Sequence, residues 1–209
     1  MLDFIKVNTH SSIRIADEKV IYIDPFKIEN AVNDADIILV THSHFDHFSP
    51  DDIRRIMKSD TVLVCPETMK EAENLGITVK YVSPCEKTEV CGISIETVPA
   101  YNKMKPFHPK KNGWTGYIIN SKANGRIYIA GDTDITAENK QVRCRIALVP
   151  VGGTYTMSAE EAAELVNIIA PEFAVPVHYG SVVGKPEDAE IFIKNLNSGI
   201  QAVLKVENM

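Results

Sequence analysis

No stretch of this sequence approaches the ~20 consecutive apolar residues that a membrane-spanning helix needs. Its start, MLDFIKVNTH, lacks the basic opening and long apolar core of a secretory leader. Cysteine is scarce: Cys65, Cys85, Cys91 and Cys144 form no C-x-x-C pair. That argues against a zinc ribbon or a disulfide scaffold and fits reduced thiols in the cytoplasm. Positive charge is not in excess either. With 22 basic and 28 acidic side chains the net charge is −6, so no binding to nucleic acid or to an acidic membrane is expected. No linker, low-complexity run or shift of composition interrupts the chain, and a single domain over residues 1–209 is expected. A domain of this length buries roughly 70% of its unfolded surface, so it needs neither a disulfide nor a metal in order to fold.

What is present reads as alternating sheet and helix. FIKVN, SIRIA and KVIYID are short β-branched segments, and DIILV (36–40) carries a continuous apolar run after Asp36, suited to a strand covered on both faces. Ser49 before Pro50, Asp51 and Asp52 predicts a helix start, with the helix running to about Lys58. TVLVC predicts a strand, residues 67–75 a helix stopped by Gly76, and residues 77–99 sheet. Strands follow at GYIIN, GRIYIAGD, RIALVP and FAVPVHYG, and a last one at IQAVLKV. Ser158 with Glu161 is a capping box opening another helix, and residues 186–197 predict a further one. A faint internal echo relates the halves: KVIYID then DIILVTHSH, and GRIYIAGD then RIALVPVGG. Two β-rich halves packed face to face with helices outside would account for it.

The chemistry concentrates in His42-x-His44-x-Asp46-His47. Such a tetrad arises by chance in roughly 3 of 10,000 chains of this composition, and a motif still needs its structural context. Here a buried strand precedes it and a capped helix follows, so four ligand-type side chains sit at the carboxyl end of a strand. Imidazole nitrogens with carboxylate oxygens suit zinc, manganese or iron. Asp132, in Ala130-Gly131-Asp132-Thr133-Asp134, and His178, in Val177-His178-Tyr179-Gly180, also follow strands. One shared site for one or two divalent ions is the economical reading.

With these motifs the chain resembles the metallo-β-lactamase-fold hydrolases over essentially its whole length. The PVGGTYTMSAEEAA run and the early IDPF segment resemble the small branch akin to the ascorbate-6-phosphate lactonases. The resemblance implies a four-layer αββα sandwich of two mixed sheets with helices outside. It also implies His42 and His44 on one metal, Asp46, His47 and His178 on the other, and Asp132 bridging. The family's first metal usually takes a third histidine from the segment that reads Val98-Pro99-Ala100-Tyr101-Asn102 here. Asn102 stands where that histidine is expected, so either the first site is nitrogen-poor and weakly occupied or His108 supplies the missing ring.

The remaining candidates are less specific. His10 is expected near the substrate, and Asp24 is expected to orient the ligand loop rather than to bind metal. Residues 101–111 hold four lysines, 103, 105, 110 and 111, against about one basic residue for an even spread. Lys103 and Lys105, with Asn102, are the candidates for binding an anionic substrate, and Tyr155 and Trp114 for lining the same mouth. The expected activity is metal-dependent hydrolysis of a small, anionic ester, lactone or phosphodiester. Asp46 would hold metal and take a proton from water, and His108 or Tyr179 would protonate the leaving group. A non-catalytic metal or ligand sensor with an incomplete site is the alternative, and a homo-oligomer stays open.

Overall fold

The structure, a computed structural model, describes residues 2–209. Its first sheet has the order β1 (Ile5–Val7), β2 (Ile13–Ala16), β3 (Val20–Ile23), β4 (Ala35–Leu39), β5 (Met57–Pro66), β6 (Thr78–Val82). The β1–β2 and β2–β3 pairs are antiparallel and the later pairs parallel. The second sheet runs from β7 (Lys87–Val90) through β8 (Ile93–Pro99), β9 (Thr115–Ser121), β10 (Gly125–Ile129), β11 (Ile146–Pro150) and β12 (Phe173–Val177) to β13 (Gln201–Ala202). Its β8–β9 and β9–β10 pairs are antiparallel and the pairs from β10 to β13 parallel. Strands β8–β13 therefore repeat the pairing pattern of β1–β6, which is the structural content of the sequence echo.

Period-two alternation builds the layers. Ile21, Ile23, Ile37 and Leu39 point into a core shared with Ile119, Ile127, Ile129 and Leu148 of the other sheet. Tyr22, Ile38 and Val40 point the opposite way, onto Ile53 and Ile56 of α1 (Pro50–Ile56). In the second sheet Tyr128, Ala147 and Val149 pack under α2 (Ala159–Ile169) and α3 (Pro186–Lys194). The result is the four-layer αββα sandwich.

Four local expectations change. Residues 67–75 give a 3₁₀ turn, Lys70–Leu75, rather than an α-helix; Gly76, at φ 72°, still ends it. α1 stops at Ile56 because Met57 turns extended and begins β5 at once, pairing with Ala35 across a bulge. The last strand shrinks to Gln201–Ala202, and α3 ends at Lys194. Val206 then crosses to the other sheet, forming a parallel bridge with Val7.

Candidate metal centre

The loops after β1, β3, β4, β8, β10 and β12 all leave from one edge of the sandwich, because these strands run in the same direction. They carry His10, Asp24, the His42–His47 loop, His108, Asp132 and His178 respectively. Three of these residues have left-handed backbone: His10 (φ 53°), Asp24 (φ 47°) and His178 (φ 60°). Each costs on the order of 1 kcal/mol. The turn aims a ring inward where an extended residue would alternate past the site. Gly152 makes room for one of them, since a Cβ there would lie 2.3 Å from the His178 carbonyl oxygen.

Asp132 is the hub. Its Oδ2 lies 3.1 Å from His178 Nε2, 3.3 Å from His108 Nε2 and 3.9 Å from His42 Nε2, and its Oδ1 lies 3.4 Å from His47 Nε2. Ligands held about 2.0–2.1 Å from a tetrahedral ion sit roughly 3.3 Å apart, so these are the edge lengths of a coordination shell. Three groups of ligand atoms come together: His42, His44 and His108; His10, Asp46, His47 and His178; and His42, His47 and Asp132 itself, which joins the other two. His47, His108 and His178 each leave Nε2 buried without a hydrogen-bond partner, as does Asp132 Oδ1. Such orphaned atoms are costly unless something binds them. The donor set thus fits one or two divalent ions.

Partners behind the rings fix which nitrogen is free. His47 Nδ1 donates to Asp24 Oδ2 at 2.7 Å, and Asp24 also accepts from the Thr41 amide (2.8 Å) and hydroxyl (2.7 Å). His108 Nδ1 donates to Asn102 Oδ1 at 2.9 Å. Burial keeps the His42 and His44 imidazoles below their usual range, and burial holds His10 down at about 4 despite its hydrogen bond with Asp46. Burial works against the charge on Asp46 too, but that hydrogen bond with His10 and the nearby His47 outweigh it and hold the carboxyl at about 2. Asp132 is likewise penalised by burial, yet His178, His47 and His108 pull it well below the carboxylate range. His47 is the exception: burial lowers it, but the Asp132 and Asp24 carboxylates outweigh that and raise its imidazole to about 9, so a metal bound there would displace a proton from this ring.

Several expectations are corrected by these positions. Asn102 neither replaces a ligand nor faces a substrate. Its oxygen accepts from the His108 amide and ring, and its nitrogen donates to Asp134 Oδ1 (3.1 Å) and the Tyr155 carbonyl (3.0 Å). His108 therefore stands with His42 and His44 rather than apart as a proton donor, and the first group is not nitrogen-poor. His10 is wholly buried, with Nε2 3.1 Å from Asp46 Oδ2 and its ring 3.8 Å from that of His178, beneath the cavity rather than on it. Tyr179 packs into the core under α2 and α3, because the left-handed His178 sends the next side chain away from the metal centre. Lys105 donates to Asp134 Oδ1 (3.0 Å) and to the Thr156 carbonyl, and Lys103 donates its amide to Asp134 Oδ2 (2.9 Å). Asp134 thus ties down the Lys105 ammonium and the Lys103 backbone, while the Lys103 side chain stays exposed. Trp114 lies against the rings of His42 and His44, 4.9 and 5.0 Å between centroids, and is buried.

A cavity of about 240 Å³ opens onto this centre, with His44, Asp46, His108 and Asp132 on its walls. Phe45, Phe107, Tyr155 and Val182 complete it. Of these only Tyr155 was singled out by sequence reasoning; Phe45 lay unread at a variable position inside the histidine motif. A larger cavity of about 310 Å³, beside Lys6, Arg14, Asn30 and Glu207, touches none of the ligand-type residues.

The Beta-lactamase superfamily domain matches residues 5–178. The chain is 30% identical to a UPF0173 metal-dependent hydrolase of Methanopyrus kandleri, covering 88% of each chain. It is also 30% identical to one of Pyrococcus abyssi, covering 96% of this chain and 95% of the relative. Among solved structures, a protein from Parabacteroides distasonis superimposes with a TM-score of 0.81 at 31% identity, over 98% of this chain and 93% of that one. A domain match over most of the chain, relatives matched along most of their length and a shared sandwich all agree: the chain belongs to the UPF0173 metal-dependent hydrolases of the beta-lactamase superfamily.

Proposed function

We propose that this hydrolase holds two divalent ions, zinc, manganese or iron, and cleaves a small carboxylic or phosphoric ester in the 240 Å³ cavity. His42, His44 and His108 would hold one ion, Asp46, His47 and His178 the other, and Asp132 would be shared. The observation that carries this is the arrangement of unpartnered Nε2 atoms around Asp132 on the floor of an open cavity. A divalent ion there supplies a nucleophile from water at neutral pH and polarises an oxygen of the substrate. The first group is richer in nitrogen and suits zinc; the second, with two carboxylates, leans toward manganese or iron.

The protein's own contribution is positioning. Asp24 and Asn102 lock His47 and His108 in the tautomers that present Nε2. His10 holds the Asp46 carboxylate from behind. A carboxyl held near 2 is a weak base at neutral pH, so Asp46 orients a water better than it retains its proton. The sandwich excludes water from the floor while the cavity admits the substrate.

Elemental analysis of the purified protein, with turnover of nitrophenyl acetate and bis-nitrophenyl phosphate with and without Mn²⁺ or Zn²⁺, tests this reading. Up to two equivalents of metal and metal-dependent turnover of at least one substrate are expected. Asp132→Ala is expected to lose both metal and at least a hundredfold in rate. Normal metal content in that variant, or turnover indifferent to metal, would refute the assignment.

A further inference from the structure

We infer that the outer half of the cavity is an aromatic subsite, so that the substrate is an ester or phosphate ester carrying a flat apolar substituent rather than a sugar-like or nucleotide-like one. This rests on the hydrolytic reading above and narrows its substrate.

The cavity has two unlike sides. Half of its lining consists of ligand-type residues, and the other half is Phe45, Phe107, Tyr155 and Val182, from four separate loops. No lysine or arginine among the described residues lines it. The chain has seven phenylalanines, and the two that are exposed, Phe45 at 68% and Phe107 at 42%, both stand here. Exposed apolar surface gathered at one rim marks a place where something binds. The rings are braced rather than loose. Phe45 meets Phe26 edge-on with centroids 6.0 Å apart, and Phe107 meets Tyr155 at 4.7 Å and 89°. A substrate ring entering between them would extend the same edge-to-face packing.

Two nearby polar groups are already committed. The Tyr155 carbonyl accepts from Asn102, and the Lys105 ammonium is turned to Asp134 and the Thr156 carbonyl. Among the apolar side chains of that half of the lining only the Tyr155 hydroxyl could partner the hydroxyl groups of a sugar-like substituent, so most of these would lose water without replacement, which disfavours them. The volume fits the same class: about 240 Å³ falls below the ~300 Å³ where sites for drug-sized ligands begin, leaving room for a scissile group and one ring.

Calorimetric titration of the Zn²⁺-loaded protein with phenylphosphonate and with methylphosphonate reads the subsite without turnover. Phenylphosphonate is expected to bind at least tenfold more tightly. Phe45→Ala and Phe107→Ala are each expected to cut that ratio to threefold or less. Far-UV circular dichroism and melting of both variants check that they fold. A wild-type ratio near one, or a ratio untouched by both substitutions, overturns the subsite. A tenfold preference with no turnover of phenyl acetate or bis-nitrophenyl phosphate supports the subsite and sinks the hydrolytic substrate reading. Turnover without any preference for aryl groups does the reverse.

Discussion

Asn102 carries no metal-type nitrogen, yet its amide decides where one goes. Its oxygen accepts from both the backbone and the ring of His108, while its nitrogen ties that corner to Asp134 and Tyr155. Removing the acceptor frees the His108 ring to rotate and to place its proton on Nε2, the atom the centre needs. Asn102→Ala is therefore expected to weaken metal binding about 10- to 100-fold at the three-histidine group while the other group keeps its affinity. Stepwise metal titration by calorimetry distinguishes the two; equal weakening of both, or of neither, would contradict this role. The histidine motif, Asp132 and His178 were legible as candidate ligands because their chemistry is unusual and each follows an apolar strand. His108 was legible only as one of two ways to complete the first group; which of them holds depends on a loop closing back by six residues, a contact that no local pattern encodes.

At the scale of elements, helix starts were readable. Ser49 accepts from the Asp52 amide, and Ser158 exchanges hydrogen bonds with Glu161 at 3.2 and 2.8 Å, as their spacing predicts. Caps are local, so sequence suffices for them. The difference between a 3₁₀ turn and an α-helix at Lys70–Leu75, and the short final strand, are set by what packs alongside. The loop between β11 and α2 shows how an element tunes the site. Gly152 lets the His178 carbonyl approach to a distance that no side chain permits. Gly152→Ala is expected to cost about 1–3 kcal/mol of stability through overpacking, and to lower metal affinity at the Asp46, His47 and His178 group more than at the other. Urea unfolding with parallel metal titration measures both; a destabilised variant with unchanged metal binding would show that the close approach serves packing alone.

For the molecule as a whole, the centre sits at the edge of the sandwich while the core between the sheets is built of aliphatic side chains with few aromatic rings and holds none of the metal-type residues. Fold and metal are thus separable. Chelation is expected to leave far-UV circular dichroism intact and unfolding cooperative, with Tm lower by several degrees; binding at a hundredfold excess over Kd is worth about 2.7 kcal/mol. The single tryptophan, Trp114, lies against the rings of His42, His44 and His108. Its emission is expected to change on chelation and to recover when metal is restored. Loss of the sheet signal on chelation would refute the separation, as would a Trp114 spectrum blind to metal.

Within that whole, the repeat of the halves showed in the sequence only as a faint echo, but period-two alternation was set by sequence alone, because burial on alternate residues is a property of each strand. So were the metal-type side chains and the strand ends on which they stand. Tertiary structure decided the rest. It chose His108 over Asn102, turned His10 inward beneath Asp46, sent Tyr179 into the core, and drew Lys105 onto Asp134. Each of these depends on a left-handed residue or a contact across loops far apart in the chain. Such contacts depend on how the two sheets are stacked, and stacking brings together residues whose spacing in sequence carries no trace of their meeting.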